Sequence, residues 1–226
     1  MAEVVLLKKV SLFAGLSDDE LQVLSQSLGR QFFRQGMIIF HKGSPGDSLY
    51  IIESGKVRIF VLSETGQEIS INVYGPGEVF GELSVLDNRP RSAGSVALEP
   101  TVVHTLHRRD LMRHLDAQPH IAWSIIQVLT ARLRYTSAYA ESLSFLDIYG
   151  RVASKLLELA ERYGVEGNGV EIDLRLTQAE LAAWVSASRE SVNKVLGTFR
   201  AQGLIEIRGQ RIKILDQPGL QRRILY

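Results

Sequence analysis

Phe80-Gly81-Glu82-Leu83-Ser84-Val85-Leu86-Asp87-Asn88-Arg89-Pro90-Arg91-Ser92-Ala93-Gly94-Ser95-Val96 opens on a glycine and a carboxylate and, nine residues after Glu82, presents Arg91-Ser92-Ala93. These groups suit a ribose cyclic phosphate. The anionic phosphate needs a fixed cation and oriented donors, which Arg91, the Ser92 hydroxyl and nearby backbone N–H groups supply. A ribose hydroxyl needs an acceptor, and Glu82 beside the small Gly81 supplies it. A single Arg on a loop is usually a solvated surface residue, so the reading rests on the whole block, with Leu83, Ser84 and Ala93 inside it.

On both sides of this stretch the pattern is that of an antiparallel β-roll. Turn signals stand at Gln35-Gly36, Gly43-Ser-Pro-Gly46, Ser54-Gly55, Thr65-Gly66, Gly75-Pro76-Gly77, Arg89-Pro90 and Glu99-Pro100, mostly at the 8–12-residue spacing of a sandwich or jelly roll. Between them lie runs rich in β-branched and aromatic residues, including Met37-Ile38-Ile39-Phe40, Leu49-Tyr50-Ile51-Ile52, Val57-Arg58-Ile59-Phe60-Val61 and Ile69-Ser70-Ile71-Asn72-Val73. The roll is expected over Phe32 to Leu106. Before it, Ser17-Asp18-Asp19-Glu20 is a capping box that starts a short helix at Ser17.

After Pro119 the period changes. Ala122, Ile126, Leu129, Leu133, Thr136, Ala140 and Leu143 recur at steps of four and three, a heptad seam whose narrow stripe favours a partner helix and a parallel two-fold dimer. A helix packed on its own β-roll has the same periodicity. Thr136 on the seam and Ser137 beside it form a polar pair where aliphatic residues would pack better. Ser144-Phe145-Leu146-Asp147 interrupts the helix, with Asp147 capping the next one, and Tyr163 to Gly169, with three glycines, reads as a loop.

Thr177-Gln178-Ala179-Glu180 is a second capping box, opening a helix with Leu181, Ala182 and Val185 on its buried side. After Ser186-Ala187, Ser188 caps a helix to about Gln202, with Val192, Val195, Leu196 and Phe199 inward and Arg189, Glu190 and Lys194 outward. Two short helices so joined form a helix-turn-helix whose second helix enters the DNA major groove. Arg binds guanine O6 and N7 bidentately and Glu accepts from cytosine N4, while the hydroxyls of Thr177, Ser188 and Ser191 are placed to take phosphates. Leu204 to Ile207 and Arg211 to Ile214 flank Arg208-Gly209-Gln210 as a β-hairpin, a basic wing.

Charge and composition agree with this division. Residues 186–226 hold eight Lys or Arg against three acids, +5, so the other 185 residues carry −4 of the net +1. That asymmetry points to an anionic partner for the C-terminal segment. The absence of Cys removes disulfides, thiolate-bound iron-sulfur clusters and Cys-based zinc sites. No run approaches the ~20 apolar residues of a membrane span, and the expected location is the cytoplasm. The His residues lack metal-site spacing, and no catalytic constellation accompanies them, so no metal and no enzyme activity are expected.

The block Gly81-Glu82 with Arg91-Ser92-Ala93 resembles the phosphate-binding cassette of the cyclic-AMP receptor protein/fumarate-nitrate regulator family of bacterial regulators. The resemblance spans nearly the whole chain. Arg132-Leu133-Arg134-Tyr135-Thr136-Ser137 is similar to the family's dimer helix, in which a Thr-Ser pair of cyclic-AMP-responsive members contacts the adenine, the Ser from the opposite subunit. Phe145-Leu146-Asp147, Gly150-Arg151-Val152-Ala153 and the recognition sequence Ser188-Arg189-Glu190-Ser191-Val192 also match. Lys194 departs from the pattern, since many members have a second Arg there, and Lys lacks the bidentate fork. Arg89, two residues before Arg91, is another departure.

The resemblance implies an α+β chain. Residues 1–118 form a jelly-roll-like cyclic-nucleotide-binding β-roll, 119–146 a dimerisation helix and hinge, and 147–226 a winged helix-turn-helix. It implies a homodimeric activator or repressor with cyclic AMP as effector, and with operator DNA and RNA polymerase as partners. Gly81, Glu82, Leu83, Ser84, Arg91, Ser92, Ala93, Arg132, Thr136 and Ser137 are expected on the nucleotide, and Thr177, Gln178, Ser188, Arg189, Glu190, Ser191, Lys194 and Gly209 on DNA. The competing readings are the same fold answering cyclic GMP, cyclic di-GMP, haem or no ligand, and a nucleotide-gated regulatory module that binds no DNA.

Overall fold

The computed structural model describes residues 2–13, 15–64, 66 and 68–224. Thr65, half of one turn signal, lies outside the described residues, as do Met1 and Tyr226 at the ends of the expected domains. The chain divides into two compact units, Met1–Arg134 and Tyr135–Tyr226. The long helix expected as a segment of its own is therefore shared between them.

The first unit begins with α1 (Ala2–Leu7) and α2 (Asp18–Ser25). Ser17 caps α2 with both reciprocal bonds of a capping box in place. The strands β1 (Leu28–Phe33), β2 (Ile38–Phe40), β3 (Ser48–Ser54), β4 (Val57–Leu62), β5 (Glu68–Tyr74) and β6 (Val79–Phe80) follow. Then come α3 (Glu82–Asp87), β7 (Gly94–Ala97), β8 (Thr101–His107), α4 (Arg108–Ala117) and α5 (His120–Phe145). Two antiparallel four-stranded sheets result, ordered β1-β8-β3-β6 and β2-β7-β4-β5.

The central strand β3 explains why Leu49-Tyr50-Ile51-Ile52 shows no polar alternation: both of its faces are covered. Leu49 and Ile51 pack with Leu7, Phe13, Leu24, Leu111 and Ile121 of the helices. Ile52 and Tyr50 pack with Val57, Tyr74, Phe80 and Val103. Fully burying such side chains contributes on the order of 1.5–3 kcal/mol each before chain entropy is counted.

The roll begins at Leu28, four residues before the expected Phe32. Gly29-Arg30-Gln31 has no strand signature and is exposed. Pairing with β8 holds it, and Gly29 faces Thr105, whose Oγ1 lies 2.7 Å from where a Cβ would stand.

The second unit contains the C-terminal part of α5, then α6 (Ile148–Tyr163), β9 (Gly164–Gly167), β10 (Gly169–Ile172), α7 (Gln178–Trp184), α8 (Arg189–Ala201), β11 (Ile205–Arg208), β12 (Arg211–Ile214) and α9 (Gln217–Gln221). Asp147 accepts from the Gly150 N–H at 2.8 Å and caps α6 as expected. Val152, Leu156, Leu181, Val192, Val195, Leu196, Phe199, Ile205, Ile212 and Ile214 make the buried interior.

The reading of Tyr163 to Gly169 as a loop is corrected. Tyr163 ends α6, and Gly164–Gly167 is a strand on the outer edge of a sheet ordered β11-β12-β10-β9. Its glycines answer to close approaches rather than to looseness. A Cβ on Gly164 would stand 2.1 Å from the Ala160 carbonyl oxygen, and one on Gly169, at φ +94°, 2.4 Å from that of Ile214.

Thr177 caps α7 through a complete box: its Oγ1 accepts from Glu180 N–H at 3.1 Å, and Glu180 Oε2 accepts from Thr177 N–H at 2.8 Å. Thr177→Ala is expected to cost ~1 kcal/mol, read as a lower urea midpoint with an unchanged slope. A midpoint equal to wild type would contradict the cap.

Candidate nucleotide and DNA sites

Gly81 turns the chain from β6 into α3 at φ +76°, a left-handed conformation that glycine adopts without strain. A Cβ here would stand 2.6 Å from Arg91 Nη1, and one on Gly46 2.6 Å from Arg91 Nε. The two glycines therefore make the slot in which the arginine lies. Main-chain bonds from Arg91 N–H to Ser44 O and from Gly43 N–H to Arg91 O fasten the segment before β7 to the Gly43–Gly46 turn.

Arg91 is 4 % exposed. It donates through Nη1 to Gly81 O at 2.6 Å and through Nη2 to Ser48 O at 2.7 Å. Its guanidinium carbon stands 4.3 Å from the Phe40 ring centroid and 5.5 Å from that of Tyr50, within cation–π range. Nε has no partner. Among the described residues no carboxylate lies within ion-pair distance of it, and burial pulls its pKa below the ordinary arginine value. Asp47 and Glu82 act on it only from beyond ion-pair distance; a buried cation so weakly compensated is costly, and an anion would relieve it.

Glu82 is buried as well and is taken by a cation of this chain, Arg132 Nη1, at 2.5 Å from its Oε1. Arg132 also donates to Val79 O and lies 4.7 Å from the Tyr74 ring centroid. Burial is the largest influence on Arg132 and pulls its pKa down, but Glu82 and Tyr74 together outweigh it and the net shift is upward. The structure thus brings Gly81, Glu82, Ser84, Arg91 and Ala93 together on one side of the roll, with Arg132 bound to Glu82. Leu83 and Ser92 stand at the surface, and Thr136 and Ser137 occupy exposed positions of α5 one turn beyond Arg132.

The recognition half is equally explicit. Ser186, at φ +49°, makes the tight turn between α7 and α8, and its Oγ lies 3.0 Å from the Tyr139 hydroxyl. Arg189, Glu190, Ser191 and Lys194 are exposed on α8, opposite buried Val192, Val195, Leu196 and Phe199. Gln178 is exposed at the start of α7 and Gly209, at φ +62°, makes the wing's two-residue turn.

Two features add to the expected picture. The hydroxyls of Thr177 and Ser188 also serve as caps, Thr177 Oγ1 accepting from Glu180 N–H and Ser188 Oγ from Ser191 N–H, both at 3.1 Å, while they donate to Glu180 Oε2 at 2.7 Å and Ser191 Oγ at 2.9 Å. The wing is less basic than its composition, because Arg208 pairs with Glu206, and Arg211 with Glu171 and Asp173. The Arg211 hydrogen bond in turn lowers the Glu171 pKa. Among the described residues Arg189, Lys194 and Arg200 have no acidic partner in ion-pair range, so the uncompensated positive charge runs along α8.

The description "Cyclic nucleotide-binding domain" matches residues 30–118, and "Crp-like helix-turn-helix domain" matches residues 150–223. A "CRP-like cAMP-activated global transcriptional regulator" of Mycobacterium tuberculosis is 37 % identical over 219 residues, 96 % of this chain and 98 % of that one. The chain belongs to the CRP/FNR family. Another member, the "Cyclic AMP receptor protein" of Thermus thermophilus, is 36 % identical over 95 % of this chain and 97 % of that one. The crystal structure of Thermus thermophilus Catabolite Activator Protein is 33 % identical over 95 % and 98 % of the two chains, with a TM-score of 0.55. The CLP regulator of Xanthomonas campestris, at 24 % identity over 88 % and 100 % and a TM-score of 0.79, shows the CRP/FNR fold alone. The chain is thus a CRP/FNR-type cyclic-nucleotide-binding transcription regulator with a helix-turn-helix.

Phe40 and Tyr50 as walls of the arginine slot, Gly46 beside it, and Arg200 as part of the charged face of α8 lie outside the residues expected from the sequence. The Gly43-Ser-Pro-Gly46 signal by itself marks only a turn. Which strands it would bring against Arg91 is a property of the tertiary fold.

Proposed function

We propose that the chain is a homodimeric, cytoplasmic regulator that binds cyclic AMP in each β-roll and inverted-repeat operator DNA through α8, and that it works with RNA polymerase. The single observation carrying the ligand reading is Arg91, a buried cation with an unpaired Nε and, among the described residues, no carboxylate within ion-pair distance. The names of the Mycobacterium tuberculosis and Thermus thermophilus relatives support cyclic AMP among cyclic nucleotides. In this reading Gly81, Glu82, Leu83, Ser84, Arg91, Ser92 and Ala93 surround the ribose phosphate, Arg132 holds Glu82, and Thr136 and Ser137 meet the base.

Self-association is supported by the apolar stripe of α5, where Ile126 and Leu133 are 50 % and 67 % exposed. A heptad seam left open in this way fits a second copy of the same helix.

The test is calorimetric titration with cyclic AMP, cyclic GMP and cyclic di-GMP, with and without inverted-repeat DNA. Cyclic AMP should bind most tightly and each ligand should tighten the other by the same factor. Equal affinity for all three, or no binding, overturns the ligand reading and leaves the DNA reading standing.

On DNA, Glu190→Ala is expected to relax preference at one base pair of each half-site by ~1–3 kcal/mol. Selection from a randomised pool checks this, and an unaltered motif would remove Glu190 from base readout.

A further inference from the structure

α6 carries a buried lysine that neither site above uses. Lys155 is 7 % exposed, and its ammonium donates to the Tyr135 hydroxyl at 2.8 Å and to Glu158 Oε2 at 2.5 Å. An ammonium has three donors, so one N–H remains without a partner among the described residues. Its nitrogen lies 5.3 Å from the Tyr135 ring centroid and 5.9 Å from that of Trp184.

Beside it, within the second unit, is a cavity of about 270 Å³ lined by Tyr135, Tyr139, Ser142, Arg151, Ser154 and Trp184 together with Lys155 and Glu158. Arg151 reaches Val185 O and Leu146 O through Nε and Nη1, and no partner of its Nη2 or of the Ser154 hydroxyl is found among the described residues. The walls are thus partly aromatic, and Lys155, Arg151 and Ser154, each with a donor to spare, stand in the same lining. Lys155 and Arg151 against Glu158 leave one net positive charge. The volume falls just below the ~300 Å³ at which pockets for drug-sized ligands begin, which suits a ring acid smaller than a nucleotide.

We propose that this cavity is a second ligand site, taking a small aromatic or heteroaromatic carboxylate whose ring lies against Tyr135, Tyr139 and Trp184 and whose carboxylate accepts from Lys155 and Ser154. Its walls come from α5, α6 and α7. The same Tyr139 that lines it bonds Ser186 in the turn before α8, so an occupant stabilises one placement of that turn and is thermodynamically linked to whatever α8 binds. The site needs neither the β-roll ligand nor DNA to be detected.

The full chain holds two Trp, so Trp123→Phe, at an exposed position, leaves Trp184 as the sole indole reporter. Titration of this protein with benzoate and nicotinate is expected to give a saturable change in Trp184 fluorescence, with benzamide and nicotinamide at least tenfold weaker. Ser154→Val, which leaves the Lys155 pair intact, should weaken the carboxylates several-fold without altering the melting curve. The double variant Lys155→Met/Glu158→Gln, which strands no buried charge, should weaken them more than tenfold. No saturable response to either carboxylate, an equal response to the amides, or parent-like binding by both variants overturns the proposal. None of these outcomes bears on the cyclic-nucleotide reading.

Discussion

Arg91→Met is expected to weaken cyclic-nucleotide binding by ~1.5–3 kcal/mol, roughly ten- to a hundredfold, the range of a charge-assisted hydrogen bond, while leaving the unliganded β-roll folded. Two opposing effects on stability justify the second half of that expectation. The variant strips Gly81 O and Ser48 O of their donors, a loss of about 1 kcal/mol each. It also removes a desolvated cation whose Nε is unpaired and which Asp47 and Glu82 compensate only from beyond ion-pair distance, and a Met side chain can still pack on Phe40. Calorimetry gives the affinity and circular dichroism the melting curve. Arg91→Lys should fall between, because it keeps the charge but not the planar fork. Wild-type affinity in Arg91→Met would show that the phosphate is bound elsewhere.

The second large effect concerns the ion pair of α3 and α5. Glu82→Ala takes away the carboxylate 2.5 Å from half-buried Arg132, which lies against Tyr74 and keeps the more distant charge of Glu78. Breaking a buried pair from one side typically costs ~3–5 kcal/mol. Arg132 keeps its bond to Val79 O and its side chain is 23 % exposed, so the lower end of that range is expected, read from urea unfolding. Glu82→Met/Arg132→Met removes both charges and should be more stable than Glu82→Ala. A loss below ~1 kcal/mol in Glu82→Ala, or a double variant no better than it, would mean that the pair is solvated and of little structural consequence.

How much of this was legible in the chain differs between the two units for a physical reason. In the winged helix the signals are local. Capping boxes at Thr177 and the Ser188 cap, 3.6-residue periodicity in α8 and a turn glycine at position 209 each act over a few residues, so their structural consequences follow from spacing alone. The glycines at 164 and 169 failed for the opposite reason: what makes them necessary is the carbonyl of Ala160 one turn back and that of Ile214 forty-five residues away. The cassette was visible as a set of residue types, but its chemistry depends on partners from distant strands. Nothing near position 91 announces Phe40, Tyr50 or the carbonyl of Ser48. Likewise Glu82 was legible as an acceptor, whereas its pairing with Arg132, fifty residues on, is created by packing α5 on the roll. Leu28 to Gln31 show a further limit, because an exposed edge strand carries no pattern of its own and is held by its neighbour.

Under the proposed function, the two carbonyl bonds and the aromatic faces around Arg91 also bear on how fast and how tightly an anion would be captured. A free arginine carries about 2 kcal/mol of rotamer entropy, and here that freedom is surrendered when the β-roll folds, held by Gly81 O, Ser48 O and the rings of Phe40 and Tyr50. A ligand arriving at the slot has no side chain to immobilise and keeps that part of its interaction energy as affinity. Capture is then governed by passage into the roll, and differences between competing anions register mainly in how slowly each one leaves.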